Sequence, residues 1–350
     1  MLISLQVECE GQKDSCDQKD GPSIEISGSC GEKYHNQPFR FYLHAQEFKK
    51  DGFLSVQYEH LYNALSMHPA RSYVPSLASH HFLGIDVGCE LHWPVYASKD
   101  HRNFVFGNHQ DCRKTRLERL RNYLGRLDTF QERAAMHIVF DMFGWLGDTP
   151  ADLATHPCIS IVSPGFEPGR YRRGVDVSFP LMPVVRPDMG PGAAKEPRDG
   201  SSGQTWQCDP GSWKHLATFR GTGTAKIRHD LQTLHDGEAF VIHLKPYKED
   251  VSAFSSPDSK PLVVEFLELM AQTRFALAPR GDNAQSIRLF EAICAGVVPV
   301  ILADDWVLPF SEEGGANYTG FSVRYREADW RRLPKVLRTF SDETICDMQQ

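Results

Sequence analysis

Arg280, Ser286, Arg288 and Glu291 share one run, Phe275-Ala-Leu-Ala-Pro-Arg-Gly-Asp-Asn-Ala-Gln-Ser-Ile-Arg-Leu-Phe-Glu291. An apolar strand ends at Pro279, a short polar loop follows, and a helix starts near Gln285-Ser286. Gly281 lets the backbone approach a ligand closely. The helix N-terminus offers free N–H groups and the positive end of a dipole, which suits a phosphate. Arg280 and Arg288 add guanidinium donors that fork onto phosphate oxygens. Glu291, one to two turns into the helix, is placed to accept hydrogen bonds from two ribose hydroxyls. A bare strand–turn–helix, with Arg280 paired to Asp282 and Glu291 in solvent, is the competing reading. The ordered string of residues disfavours it.

Such a loop needs a strand before it and a helix after it, and the surrounding sequence supplies both repeatedly. After position 205 the pattern predicts strands at Leu216–Phe219, Ala239–His243, Phe275–Ala278 and Val297–Leu302. Helices are predicted at Thr224–Leu234, Leu262–Gln272 and Ala284–Ala295. Earlier, strands are predicted at Phe39–Leu43, Met136–Phe140, Cys158–Val162 and Val175–Phe179. Helices are predicted at Tyr58–Leu65 and at Arg113–Arg133, the latter broken near Gly125. Residues 325–340 read as a packing helix interrupted by Pro334. Strands alternating with helices indicate α/β layers with mainly parallel sheets. A Gly- and Pro-rich stretch at 186–204 reads as the interdomain linker. The expected order is a polar leader 1–36, a domain 37–185, the linker, and a doubly wound domain 205–350. Two such units suggest a ligand cleft where strand C-termini face each other.

The chain has 350 residues and a formal charge of −7. Length near two domains and 41% hydrophobic residues exclude wholesale disorder. The acidic balance argues against a nucleic-acid partner. No stretch reaches 18 apolar residues, so no membrane segment is expected within these residues. The nine cysteines include no C-x-x-C pair, which argues against a structural zinc. Cys9, Cys16 and Cys30 fall in the leader, either as the remnant of a small disulfide module or as unpaired thiols.

The run at 279–310 resembles the signature of the exostosin family of glycosyltransferases. The matching residues are Pro279-Arg-Gly-Asp282, Ser286, Arg288, Glu291-Ala292, Ala295-Gly296, Pro299-Val-Ile301, Asp304 or Asp305, and Leu308-Pro-Phe310. Weaker likenesses are Phe39–Leu43, His137–Phe140, Asp176-Val-Ser-Phe-Pro180, and Phe219-Arg-Gly221 with Ile227-Arg228. They extend the resemblance over roughly residues 38–350. The chain then stops at the start of the family's last helical region, which implies a fragment. The resemblance implies two Rossmann-like domains facing a cleft, the GT-B architecture. The C-terminal half would bind a nucleotide sugar, a UDP-sugar in the first instance, and the N-terminal half a glycan or glycoprotein acceptor. It implies inversion at the anomeric centre without a metal cofactor, and the sequence contains no Asp-x-Asp. It also implies a Golgi lumen location behind a membrane anchor absent from this sequence, or else a soluble relative.

Without a metal, cations and helix N-termini must neutralise the leaving diphosphate. Gly221-Thr-Gly-Thr-Ala-Lys226-Ile-Arg228 fits that need as a glycine-rich turn with two cations, so Gly221, Lys226 and Arg228 join the diphosphate set. It is neither a Walker A nor a dinucleotide fingerprint, and a purely structural turn is the alternative. Inversion also needs a base on the acceptor side. Asp141, directly after a strand, is the first candidate and Asp148 the second. His137 reads as a core histidine, and Phe143, Trp145 and Leu146 read as packing residues or a sugar platform. A binding protein of the same fold without turnover is the alternative to an active transferase.

Overall fold

A computed structural model of the chain describes residues 30, 39–45, 56–86, 109–141, 151–181, 208–245, 260–312 and 315–349. Asp148, Phe143, Trp145, Leu146, the linker 186–204 and the leader apart from Cys30 lie outside them.

The first half builds a six-stranded sheet. Its elements are β1 (Phe41–Leu43), α1 (Val56–Ser66), β2 (Arg71–Ser72), β3 (His80–Asp86), α2 (His109–Leu124), α3 (Asp128–Gln131), β4 (Met136–Phe140), α4 (Ala151–Ala154), β5 (Ile159–Ser163) and β6 (Val177–Ser178). The order is β2-β1-β3-β4-β5-β6, every neighbouring pair parallel. Every residue of β5 is buried, as a parallel strand covered on both faces requires. Leu117, Leu120 and Leu124 of α2 close one face over Leu83, Ile85, Val139 and Ile161. Tyr58 of α1 closes the other over Ile138, Phe140 and Val162.

The second half runs β7 (His215–Thr222), α5 (Lys226–Gln232), β8 (Phe240–Lys245), α6 (Lys260–Ala271), β9 (Thr273–Pro279), α7 (Ile287–Cys294), β10 (Val298–Leu302), β11 (Val323–Arg324), α8 (Leu333–Leu337) and α9 (Asp342–Gln349). The sheet order is β11-β10-β9-β7-β8, again all parallel. Strand β9 sorts its side chains by parity. Phe275 and Leu277 enter the core shared with α5, α8 and α9. The small Ala276 and Ala278 face α6 and α7 and let those helices pack closely.

The two halves join through the segment after β10. Val307 N–H donates to the Phe166 carbonyl (2.9 Å), Phe310 N–H to the Ser178 carbonyl (3.1 Å), and Ser178 Oγ–H to the Val307 carbonyl (2.7 Å). Phe166 and Ser178 follow or end β5 and β6, so the C-terminal ends of both sheets meet at this junction.

The α/β expectation holds, with local corrections. Strand β7 runs through Gly221 to Thr222, so the glycine-rich turn starts only at Gly223. Gly221 is a strand residue paired with Leu244 of β8, and the position takes glycine because a Cβ there would lie 2.8 Å from the Phe219 ring. Helix α7 begins at Ile287 rather than Ala284. The single helix expected over 325–340 is a 3-10 turn, Glu327–Arg332, followed by α8. Pro334 sits in the first turn of α8, where its missing N–H costs nothing, so it opens that helix. Cys30 is disulfide-bonded to Cys158 beside β5, and Cys208 is bonded to Cys346 in α9. Cys30 is therefore neither an unpaired thiol nor part of a disulfide module confined to the leader.

Candidate functional site

In the second sheet the winding direction reverses between β7 and β9: β8 lies outward on one side, β10 and β11 on the other. The C-terminal ends of strands at such a switch point form a crevice suited to a ligand. The loop after β7 and the loop after β9 meet there. Arg228 fastens them. Its Nε donates to the Arg280 carbonyl (2.8 Å), Nη1 to the Thr222 carbonyl (3.0 Å) and Nη2 to the Pro279 carbonyl (3.3 Å). The residue is buried, with its guanidinium over the Phe219 ring. Three of its donors thus bind backbone at the ends of both strands.

Gly281 lies at the meeting point of the loops, its N–H bonded to the Gln285 carbonyl at 3.0 Å. A side chain there would begin 3.3 Å from Arg228 Nη2 and 4.0 Å from Thr224 Oγ1. Arg280 is half-buried, and its N–H donates to the Leu302 carbonyl at 3.0 Å. Its charge acts on Glu327, whose carboxyl burial holds above the usual range while the Asp304 N–H and Arg280 pull the other way. Glu327 and Asp304 exchange backbone-to-carboxylate hydrogen bonds of 3.1 and 3.0 Å, which ties the residues after β10 to the 3-10 turn.

Ser286 is the N-cap of α7 and only 1% exposed, yet its hydroxyl makes no capping bond. Oγ finds no hydrogen-bond partner among the described residues, and the same holds for Thr224 Oγ1 and Arg288 Nε. A buried polar atom without a partner costs about 1–3 kcal/mol, and three of them cluster on these loops and the first turn of α7. Thr224 was not singled out by its sequence context. Only its orphaned hydroxyl marks it, and that is invisible without coordinates.

Arg288 and Glu291 form a buried ion pair on one face of α7, with Glu291 1% exposed. Glu291 therefore does not face solvent. Lys226 is exposed and paired with Asp230 at 2.5 Å. On the acceptor side Asp141 directly follows β4, its N–H bonded to the Val162 carbonyl at 2.9 Å, and it is fully buried. His137 is the core residue expected of it, 0% exposed. Asp176 accepts from Arg172 and from the Ile161 N–H, a buried network that holds the β5–β6 connection.

A sequence profile described as the exostosin GT47 domain matches residues 91–340. The chain belongs to the exostosin GT47 family. The matched span runs from before α2 to beyond α8, so both sheets contribute to the exostosin domain. Exostosin-1 of Drosophila melanogaster is 26% identical over 238 residues, covering 61% of this chain and 29% of that protein. An exostosin-1 homolog of Caenorhabditis elegans is 28% identical over 153 residues, covering 39% and 38%. A probable glycosyltransferase of Arabidopsis thaliana is 32% identical over 136 residues, covering 39% and 26%. The chain spans less than half the length of each of these relatives. Among solved structures, the calicheamicin glycosyltransferase CalG4 aligns over 91% of this chain and 72% of its own, at 12% identity and a TM-score of 0.27.

Proposed function

We propose that this exostosin-family chain binds a nucleoside-diphosphate sugar, with UDP as the nucleotide, at the β7–β9 switch point. It transfers the sugar with inversion to a hydroxyl of a glycan or glycoprotein held at the first sheet. The buried, partnerless hydroxyl of Ser286 at the N-terminus of α7 carries this reading. A hydrogen-bonding group buried where a helix dipole favours an anion is matched by a phosphate oxygen. Arg280 and the backbone at Gly281 supply further charge and donors, and Glu291 takes the ribose. Arg288 orders Glu291, and Arg228 with Gly221 shapes the loops. Lys226 contributes charge at the rim.

In the transfer, the acceptor oxygen bonds to the anomeric carbon while the bond to the diphosphate oxygen breaks. The acceptor proton passes to a base on the first sheet, and the diphosphate leaves with the electron pair onto Arg280 and α7, with no metal cofactor required. Asp141 is the described candidate base and Asp148 the other. The full burial of Asp141 requires the acceptor hydroxyl to seat directly against the end of β4. That burial also favours a second reading, a nucleotide- or glycan-binding protein without turnover. The two disulfides support work in an oxidising compartment, for which we take the Golgi lumen.

A thermal-shift panel of nucleoside diphosphates tests the donor reading. UDP at about 100 times its dissociation constant is expected to add about 2.7 kcal/mol of stability. A panel with no stabilising member overturns the donor reading. Slow hydrolysis of a UDP-sugar separates the transferase from the binder.

A further inference from the structure

Thr224 lies between the end of β7 and the start of α5, and no motif assigns it a task. Three observations give it one. Its Oγ1 is buried and has no hydrogen-bond partner among the described residues. It lies 4.0 Å from the point where a side chain on Gly281 would begin, and so faces the 280–286 loop across the gap that the missing side chain of Gly281 leaves. The second orphaned hydroxyl, Ser286 Oγ, belongs to that opposite loop. The gap cannot relax to let these hydroxyls find backbone partners. Arg228 pins the Thr222 carbonyl on one side and the Pro279 and Arg280 carbonyls on the other, at 2.8–3.3 Å.

Two buried, unsatisfied hydroxyls on neighbouring loops that one buried guanidinium ties together suit a tetrahedral oxyanion. Each hydroxyl has one hydrogen bond to donate. We propose, resting on the donor reading above, that Thr224 is a donor-binding residue whose hydroxyl contacts a phosphate oxygen of the nucleoside diphosphate across the gap from Ser286. Arg228 is the positioning residue that holds the two hydroxyls apart.

The contact predicts opposite signs for folding and binding in one variant. Thr224→Val keeps the side-chain shape and removes a hydroxyl that is unsatisfied in the free protein. The unliganded melting temperature should hold or rise, because a buried unpaired group is relieved. UDP affinity should fall about ten-fold or more, the scale of a hydrogen bond to a charged group. Uridine affinity should not change. Thr224→Ser restores the donor and should bring UDP affinity back to within about three-fold of wild type.

Titration calorimetry with UDP and uridine, alongside thermal melts of the full chain, reads all of this. Wild type and Thr224→Val binding UDP equally overturns the assignment of Thr224 and leaves the donor reading standing. A lower unliganded melting temperature with UDP and uridine weakened alike makes the hydroxyl structural and also overturns it. A wild type to which no nucleoside diphosphate binds overturns the donor reading and this inference together.

Discussion

The indole N–H of Trp306 donates to the carbonyl of Pro164 at 2.9 Å, joining the segment after β10 to the segment after β5. The same ring meets Phe290 of α7 edge-on, with centroids 6.3 Å apart. One buried side chain thus touches the helix of the candidate donor site and the rim of the acceptor-side sheet. Trp306→Phe should lose the hydrogen bond and part of the ring volume, about 1–3 kcal/mol. Trp306→Ala should cost about 3–5 kcal/mol by leaving a cavity against Phe290. Urea unfolding measures both. UDP affinity should fall in the alanine variant and hold in the phenylalanine variant; equal losses would detach α7 from the ring.

A row of buried histidines crosses the first sheet. His44 Nε2 meets His81 Nδ1 at 3.0 Å, His44 Nδ1 meets the Tyr123 hydroxyl at 2.7 Å, and the His81 and His137 rings meet at a tilt with centroids 5.1 Å apart. Burial, and then the neighbouring histidines, lower His44 to about 4 and His137 to about 3. Burial lowers His80 as well. Both His44 and His137 stay neutral in the folded chain while the unfolded chain takes up protons near pH 6.5. The stability they contribute is complete above that pH and is lost as pH falls toward about 4 and about 3. Each should give a slope approaching about 1.4 kcal/mol per pH unit. Denaturant unfolding at pH 7, 6 and 5 should show the decline, and His44→Gln should shallow it. A flat profile would mean that the row accepts protons without penalty.

The strands with uniform apolar character, β4, β9 and β10, stood out in the sequence because buried parallel strands need continuous apolar runs. Strand β3 did not, because its first two residues are His80 and His81, polar side chains that bond to Ser79 and within the histidine row respectively. Gly221 read as a turn because glycine usually marks one. Only the Phe219 ring, 2.8 Å from its missing Cβ, explains a glycine one residue before the end of β7. The 279–291 run was legible as a site since loop, helix start and cations follow in order. The task of Arg228 was not, because carbonyls from residues 222, 279 and 280 come together only in the folded sheet. Neither disulfide could be paired from spacing, with partners 128 and 138 residues apart.

UDP binding should survive EDTA. The sequence holds no Asp-x-Asp, and no cluster of three or more His, Cys, Asp or Glu among the described residues is arranged to hold a metal ion. The cation and donors at the switch point, Arg280 and the α7 N-terminus, are the expected counter-charges. UDP affinity measured by calorimetry in EDTA and in Mn²⁺ should agree within about three-fold, less than the ten-fold that about 1.4 kcal/mol represents. A strict Mn²⁺ or Mg²⁺ requirement would overturn metal-free binding.

Glu291 is the hardest assignment to test, because Arg288 already occupies it. Arg288 and Glu291 are 12% and 1% exposed at their side chains. Removing the glutamate charge alone strands a buried guanidinium, which typically costs about 3–5 kcal/mol. A loss of UDP affinity in Glu291→Ala could then report only a disturbed helix. Comparing two ligands on the same variant cancels that disturbance. UDP and 2′,3′-dideoxy-UDP share the diphosphate and the base and differ only in the hydroxyls that Glu291 is assigned to hold. Wild type should prefer UDP by roughly 2–3 kcal/mol, the scale of hydrogen bonds to a carboxylate. In Glu291→Gln, which keeps the shape, the preference should fall by about half. In Arg288→Met/Glu291→Gln, where no stranded charge remains, it should stay at that reduced value while stability recovers. A preference that changes by less than about 0.5 kcal/mol across these variants, the usual limit of additivity for independent sites, would remove Glu291 from the ribose and leave the pair a structural element of α7.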